Sequence, residues 1–583
     1  MTLSASNKNA LASLVGLSVI LLVVVLCIWP GIHSPLFTDD IHQLDRSKAI
    51  STWAGVFDPD VFGYYRPVKN ALFMIAAPLK TNLVAWHWLG LAAYLGATVG
   101  VFRIASICLG SGRLALLATC FWALSPSCVS TAVWLSCANI SIGIIFAACV
   151  FHFHERLAEK PTIGLLVASM FFFALSLLCY ESLIAIPGLL FIRDLHQRRI
   201  TISRATVIRY AAYSLVALAF LIVRHEFSAR SIGADRLGAG FAPDIKAIHM
   251  TLSAPWFLWR HFLMWIFPFG TIELLGSYSW LRSASVVSLV FGWFFLLALL
   301  VTAALTWKRL PLVAFGLLFF FVASIPSGNF VPTFNGPIYD AYVTIPSIGL
   351  AIALAMVCDL LFRQFKVRRR ESGSLAFAGV LCLILIYRLP VCGAYFRYWA
   401  GVWGNPVELM LLTAETRPFQ SQAKGLASML LFNGGYVDEA EVQANQVVIE
   451  VPWDPTAKIT LARIARFHED LPTAEKYYRE ILESPQSSKF LKHPAMFELA
   501  EILAGKPEHY EEVVGLLKTF LKSNNTSKHV EAIALLSLTY RDQGDMSKAR
   551  ATLERGLSLH PGDKGLAIIR QSFDHPGLLQ KTN

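Results

Sequence analysis

The stretch Val530–Pro561, VEAIALLSLTYRDQGDMSKARATLERGLSLHP, decides the fold of the C-terminal part of the chain and orients the reading of the rest. Its apolar residues recur at helical spacing on both sides of Gln543-Gly544-Asp545, a turn signal. Two amphipathic helices in a hairpin are the expectation. Leu536, Ser537, Tyr540, Gly544, Ala549, Leu553, Gly556 and Pro561 fall where a 34-residue helical repeat wants a large apolar residue, a small one, Tyr, Gly, Ala, a large apolar residue, a small one and a closing Pro. The small residues let two helices cross closely, and the Pro ends the second helix.

The frame recurs upstream. Starting at Ser421 it gives Ser428, Gly435, Ala440, Ala444 and Pro452, and starting at Pro455 it gives Ala462, Ala474 and Tyr478. A divergent helix pair is expected between about 489 and 525. These stretches resemble tetratricopeptide (TPR) repeats, with a generic array of helical hairpins as the plainer alternative. Either way residues 401–583 are expected to form a short TPR-like α-solenoid. Such surfaces usually bind peptides or proteins on a concave face. No catalytic constellation is visible in it.

Residues 1–400 have a different character. The chain is 55% hydrophobic with a mean hydropathy of +0.54, and nearly all the long apolar runs lie in this part. Residues 1–400 carry 30 Lys+Arg and 16 Asp+Glu; residues 401–583 carry 20 and 23. The net charge of +11 therefore splits into +14 and −3. The positive charge sits in short loops between apolar runs, the positive-inside pattern of a membrane protein, so no nucleic-acid partner is expected despite the basic pI. All ten cysteines fall in residues 1–400, mostly in or beside apolar runs. That argues against a disulfide framework or a Cys-based metal site.

A membrane span needs roughly 20 apolar residues. Candidate spans are 11–29, 84–103, 114–127, 131–151, 162–178, 182–192, 207–223, 285–306, 311–325, 343–361 and 375–391. The first, Leu11 to Ile28, has no small-residue cleavage site after it and reads as an uncleaved span rather than a signal peptide. The pair around 162–192 suits two tilted half-length helices. Basic clusters at Arg103 with Arg113, Arg156 with Lys160, Arg193 to Arg209, Lys308-Arg309 and Arg363 to Arg370 mark the cytoplasmic side. The expected fold is thus all-α: a polytopic helical bundle of about 11 spans, then the solenoid. The N-terminus would be cytoplasmic and the repeats outside. Residues 250–268, with TLSAPWFLWRHFLMWIF within them, read as a re-entrant or interfacial helix because Trp prefers the interface. The alternative is one more full span.

Acidic residues are scarce in the front part, and five cluster in the first outer loop, 31–82: Asp39, Asp40, Asp45, Asp58 and Asp60. A carboxylate there can serve as a general base or hold a divalent metal, or the Asp39-Asp40 pair can simply cap a helix. Tyr64-Tyr65-Arg66-Pro67 follows. Arg suits phosphate because its fork matches phosphate oxygens; the bland reading of Arg66 is a solvated interfacial anchor. A base and a phosphate binder facing lipid headgroups suggest a lipid-phosphate substrate. Cys179-Tyr180-Glu181-Ser182 puts a carboxylate at the outer end of two apolar runs, and SGNFVPTFNGPIYDAYVTIPSIGL (327–350) places Asp340 and Tyr342 before another. An intramembrane carboxylate is costly unless paired or functional, although Asp340 also reads as a helix cap in a connector. HFHER (152–156) reads as a solvated loop and not a metal site, since a spacing of two puts His152 and His154 on different helix faces. No P-loop, GxSxG or strand-borne GxGxxG is present.

The order of these features carries a resemblance. A first span, the Asp-Asp loop, Tyr-x-Arg-Pro, ALSPSCVSTAVWLSCANI (123–140), CYESL, IYDAYVTIPSIGL and then outer-side repeats look like the GT-C superfamily of integral membrane glycosyltransferases. The likeness is to the TMTC-type, protein O-mannosyltransferase-like subgroup with C-terminal TPR repeats. The resemblance implies a sugar moved from a polyprenyl-phosphate donor to a protein or glycan acceptor on the extracytoplasmic face, typically with inversion. It makes Asp40 the catalytic base or the ligand of a divalent metal (Mg or Mn), with Asp39 its neighbour. It gives the donor phosphate to Arg66, with Arg224 and Arg260 in reserve, and supporting roles to Tyr65, Glu181, Asp340 and Tyr342. Two positions depart from the pattern: Tyr180 stands where a Lys is usual and Ala341 where an Arg is usual. Both losses remove cations that would stabilise a leaving phosphate.

The competing reading is a non-catalytic, membrane-anchored TPR scaffold for envelope assembly or glycan biosynthesis, which the two lost cations favour. A transporter fits less well, because the charges gather at the outer surface rather than at mid-membrane. The expected location is a bacterial inner membrane with periplasmic repeats.

Overall fold

The computed structural model describes residues 5–34, 40, 43–44, 53–60, 64–79, 83–200, 203–227, 247–270, 285–330, 339–367, 374–416, 421–484, 487, 489–522 and 528–574. Among them there is no β-strand. The chain divides into two compact units at 409/410.

The first unit holds α1 (Ala5–Ile28), α2 (Pro67–Ala76), α3 (Leu83–Leu109), α4 (Gly112–Ala123), the short α5 (Val129–Val133), α6 (Ala138–Glu159), α7 (Ile163–Cys179), α8 (Ile186–His196), α9 (Arg204–Phe227), α10 (Ala247–Ile266), α11 (Val286–Thr306), α12 (Pro311–Ser324), α13 (Ser347–Val367), α14 (Ser374–Ile386) and α15 (Cys392–Val402). Seven helices among the described residues are long and apolar enough to cross a membrane. An eighth candidate is the bent pair Gly112–Ala123 and Pro126–Val133, and α7 and α12 are shorter apolar helices. The two sequence runs 114–127 and 131–151 are therefore redrawn. The first breaks at Pro126 with a bend of 68°, and the second begins only after the 3-10 turn Leu135–Cys137. Pro126 removes a backbone donor, while every residue around it stays apolar or small, so hydropathy alone runs through the break. Residues 247–266 form one continuous helix with Pro255 inside it. Helices α12 and α13 cross at Gly316 and Gly349, where a Cβ on either would meet the other's carbonyl oxygen at 2.5 Å. Small residues at a crossing are what apolar surroundings require for tight packing.

A polar network corrects the reading of 152–156 as a solvated loop. These residues lie inside α6. His154 is buried, with Nε2 3.2 Å from the Asp194 carboxylate and Nδ1 3.1 Å from the Tyr213 hydroxyl. Tyr210 and Arg209 also donate to Asp194, and Arg199 grips Glu155 with both ends of its fork. The two histidines do face apart, since His152 meets Arg103. The network ties α6, α8 and α9 together, with Ser169 of α7 on the Tyr213 hydroxyl. Buried polar groups are stable only when satisfied in this way.

After α16 (Pro406–Thr416), the second unit is a run of helix pairs: α17 (Ser421–Asn433) with α18 (Val437–Glu450), α19 (Pro455–Phe467) with α20 (Leu471–Glu483), α21 (Lys489–Leu503) with α22 (Tyr510–Leu521), and α23 (His529–Asp542) with α24 (Met546–Leu559), followed by α25 (Lys564–Asp574). Equivalent positions of the 34-residue frame are buried alike: Ser428, Ala462 and Ser537, then Ala440, Ala474 and Ala549. Here the helices touch and nothing larger fits. The turn between paired helices needs a left-handed residue. Gly435 (φ 86°) and Gly544 (φ 83°) supply it in two frames, and Glu469 (φ 62°) stands at the same offset in the frame from Pro455. That explains the weaker match of this frame. The left-handed region costs a non-glycine residue about 1 kcal/mol. Glu469→Gly is therefore expected to raise the thermal midpoint of the purified protein, and a lowered midpoint would contradict this account.

Candidate functional site

Pro67 opens α2, a position where its missing N–H costs nothing. Arg66 is thereby held at the helix entrance rather than on a mobile loop. Its guanidinium grips Glu181 with both arms: Nε donates to Oε2 at 2.9 Å and one terminal nitrogen donates to Oε1 at 2.7 Å. Arg66 is only 9% exposed, so it is not the solvated anchor that a surface reading allowed. Two aromatic rings flank it, Tyr64 at 4.1 Å and Tyr180 at 5.3 Å from the guanidinium carbon. Such cation–π contacts strengthen as water is excluded. Tyr180 thus contributes a ring that steadies Arg66.

More charges gather around this pair. Burial opposes ionisation of Glu181, but the guanidinium of Arg66 outweighs it and, helped by Arg224, holds the carboxyl down at about 2. Asp60 also acts on Arg66 and lies 3.7 Å from the buried Lys69 ammonium, while accepting the Tyr64 N–H at 2.9 Å. Tyr65 meets Phe227 of α9 at 5.9 Å between rings. Arg66, Lys69 and Arg224 therefore share one neighbourhood with Glu181 and Asp60. Lys69 was not singled out from the sequence. Its only signal is a lysine three residues after Arg66, one helical turn away.

Asp40 is buried and held by a residue the sequence reading did not name. Ser136 donates to its Oδ1 from both the backbone N–H (2.8 Å) and the hydroxyl (2.5 Å). Ser136 sits in the 3-10 turn after the break in α4–α5. Three residues on, Asn139 donates to the Cys179 carbonyl at 2.8 Å, next to Tyr180. Cys137, between them, lies near enough to act on the Tyr180 hydroxyl. The residues 136–139 thus connect Asp40 with the Arg66–Glu181 pair, while no direct Asp40–Arg66 contact forms among the described residues. Asp39 and Asp45 lie outside the described residues.

The same broken segment also holds Asp340. The Ser130 hydroxyl donates to its Oδ2 at 2.5 Å and the Ala341 N–H to its Oδ1 at 2.8 Å. Burial pushes this carboxyl up to about 7. Tyr342 lies 5.3 Å from Tyr339 and 6.3 Å from His261, ring to ring. Arg260 stands beside His261 on α10 and acts on that imidazole. Trp134 meets Tyr339 at 6.4 Å, which closes the link between the two groups through residues 130–139.

Asp40 is the residue that would hold the divalent metal the resemblance implies, through the oxygen that Ser136 does not engage. Its Oδ1 already accepts two hydrogen bonds, and among the described residues no three His, Cys, Asp or Glu side chains come together to hold an ion.

In the second unit a groove of about 540 Å³ is lined by Phe432, Phe467 and Phe497 and by the ion pairs Arg463–Glu498 and Arg466–Glu501. Its walls come mainly from the first helices of successive pairs.

No family model and no curated protein matches the chain. Among solved structures, the crystal structure of the yeast Tom70 is similar over 83% of this chain and 98% of that chain, at 12% identity and a TM-score of 0.25. At that score it decides neither fold nor function.

Proposed function

We propose that the first unit is a membrane glycosyltransferase that moves a sugar from a polyprenyl-phosphate donor to a protein or glycan acceptor. The observation that carries this reading is the Arg66 fork, buried between two rings and matched to a carboxylate that mimics one face of a phosphate. In the reaction the donor phosphate takes the fork from Glu181, which passes to Arg224. Asp40, aimed by Ser136, accepts the proton of the acceptor hydroxyl. The hydroxyl oxygen attacks the anomeric carbon, and the bond to the phosphate oxygen breaks with its electron pair leaving on the phosphate. Arg66 and Lys69 stabilise that charge, as preorganised cations do in a dry site. The loss of Lys at Tyr180 and of Arg at Ala341 is offset by these two cations. The repeats bind the acceptor, on the periplasmic side of a bacterial inner membrane.

A second reading, the non-catalytic scaffold, draws on Asp40 and Asp340 both being engaged by serines. The deciding experiment is direct. Full-length protein in proteoliposomes is supplied with a panel of polyprenyl-phosphate sugars and with cell-envelope protein and glycan fractions as acceptors, and released polyprenyl phosphate is measured. Release above protein-free vesicles, abolished by Arg66→Ala, is expected. No release with any donor overturns the enzymatic reading in favour of the scaffold.

A further inference from the structure

We infer that Arg388 is a positioning residue: it pins the C-terminal ends of α4 and α10 together and so sets the pose of the broken segment that holds Asp40. The consequence for Asp40 chemistry rests on the function proposed above; the pin does not.

Arg388 is 2% exposed and lies on the π-helical turn Tyr387–Val391, inside the candidate span Leu375–Val402. A cation at such depth is expensive and marks a purpose, and π turns within helices recur at functional sites. One terminal nitrogen donates to the Trp265 carbonyl at 2.8 Å and the other to the Phe121 carbonyl at 3.0 Å. The guanidinium also lies 4.0 Å from the Trp265 ring centre. Its neighbour Tyr387 donates to the Ile266 carbonyl at 2.8 Å. Phe121 is in the last turn of α4, and Trp265 and Ile266 are in the last turn of α10. Carbonyls there have no partner within their own helix, and each helix end carries about −0.5 charge. Two ends supply roughly the one negative charge that Arg388 needs. Among the described residues no carboxylate meets it.

What the pin controls follows from chain order. Directly after α4 the backbone bends at Pro126, and Trp122 donates to the Thr344 carbonyl at 2.7 Å. The segment then delivers Ser130 to Asp340 and Ser136 to Asp40. Lysine cannot reproduce the arrangement, because one ammonium lacks the planar fork that bridges two carbonyls while stacking on a ring.

The test uses the full-length protein in detergent, as wild type, Arg388→Lys and Arg388→Met. Buried Cys128 and Cys137 bracket the broken segment, and buried Cys108 lies on α3 outside it. Alkylation by N-ethylmaleimide is followed at each cysteine by mass spectrometry. Arg388→Met is expected to speed alkylation of Cys128 and Cys137 about tenfold with Cys108 unchanged, and Arg388→Lys to do so less. Unchanged rates at all three overturn the inference. So does an equal rise at all three, which makes Arg388 a general stability residue. In the transfer assay, Arg388→Lys is expected to lower kcat about tenfold with the donor KM unchanged. If the alkylation pattern appears but wild-type protein transfers no sugar, the pin stands and the enzymatic reading falls.

Discussion

Asp40→Asn is expected to cut sugar transfer by about 10³-fold, within the range that a general base contributes, while the protein still inserts, elutes as one species and melts normally. The variant isolates chemistry from structure for a specific reason. The amide oxygen of Asn still accepts the Ser136 N–H and hydroxyl that hold Asp40 at 2.8 and 2.5 Å, so the loop stays docked. What is lost is the negative charge and the ability to take a proton. Initial rates at saturating donor are the measurement. A variant that retained the wild-type rate would remove Asp40 from the mechanism. Ser136→Ala should act in the same direction with a smaller loss, because the carboxylate survives but the Ser136 hydroxyl that anchors it is gone.

Glu181→Ala carries the largest expected cost in stability. It leaves the buried Arg66 guanidinium without its hydrogen-bonded carboxylate, and breaking such a pair from one side costs on the order of 3 kcal/mol. Glu181 keeps about a fifth of its side chain exposed (20%), which places the value at the low end of that range. Removing both partners should be milder than the sum of the single losses, the signature of a direct interaction in a double-mutant cycle. Added polyprenyl phosphate should raise the midpoint of Glu181→Ala more than that of wild type, because the fork is then open to phosphate. An equal shift in both would mean that Arg66 is not the phosphate contact. The pair also has a pH signature. The folded carboxyl sits at about 2, below its ordinary 4.5, so its contribution is full above about 4.5 and is lost as pH falls toward 2.

Much of this was legible in the residues. The repeat frame could be read because helices that cross closely demand a small side chain at fixed offsets, and Ala440, Ala474 and Ala549 obey that demand whatever the surface does. Glu181 was visible as a costly charge beside apolar runs and Arg66 as a phosphate binder or a solvated anchor, yet they are 115 residues apart, and nothing in either neighbourhood names the other as partner. Ser136 and Ser130 were harder still. Both lie in a run where serine looks like a tolerated small residue, and their role appears only when two loops bring carboxylates to them. The solvated reading of His154 failed for a related reason. Its charged neighbours suggest water, but the shield is supplied by Asp194, Tyr213 and Arg209 from other helices.

Two of the buried arginines of the first unit, Arg66 and Arg388, differ in one respect that matters outside the laboratory. The partner of Arg66 is a carboxyl, which acid can neutralise, so that contact is tied to the proton concentration it meets. The partners of Arg388 are peptide carbonyls of two helix ends, which take up no proton in any condition a cell survives. The joint between α4 and α10 is therefore indifferent to acidity, while the Arg66–Glu181 contact weakens once the pH falls below about 4.5.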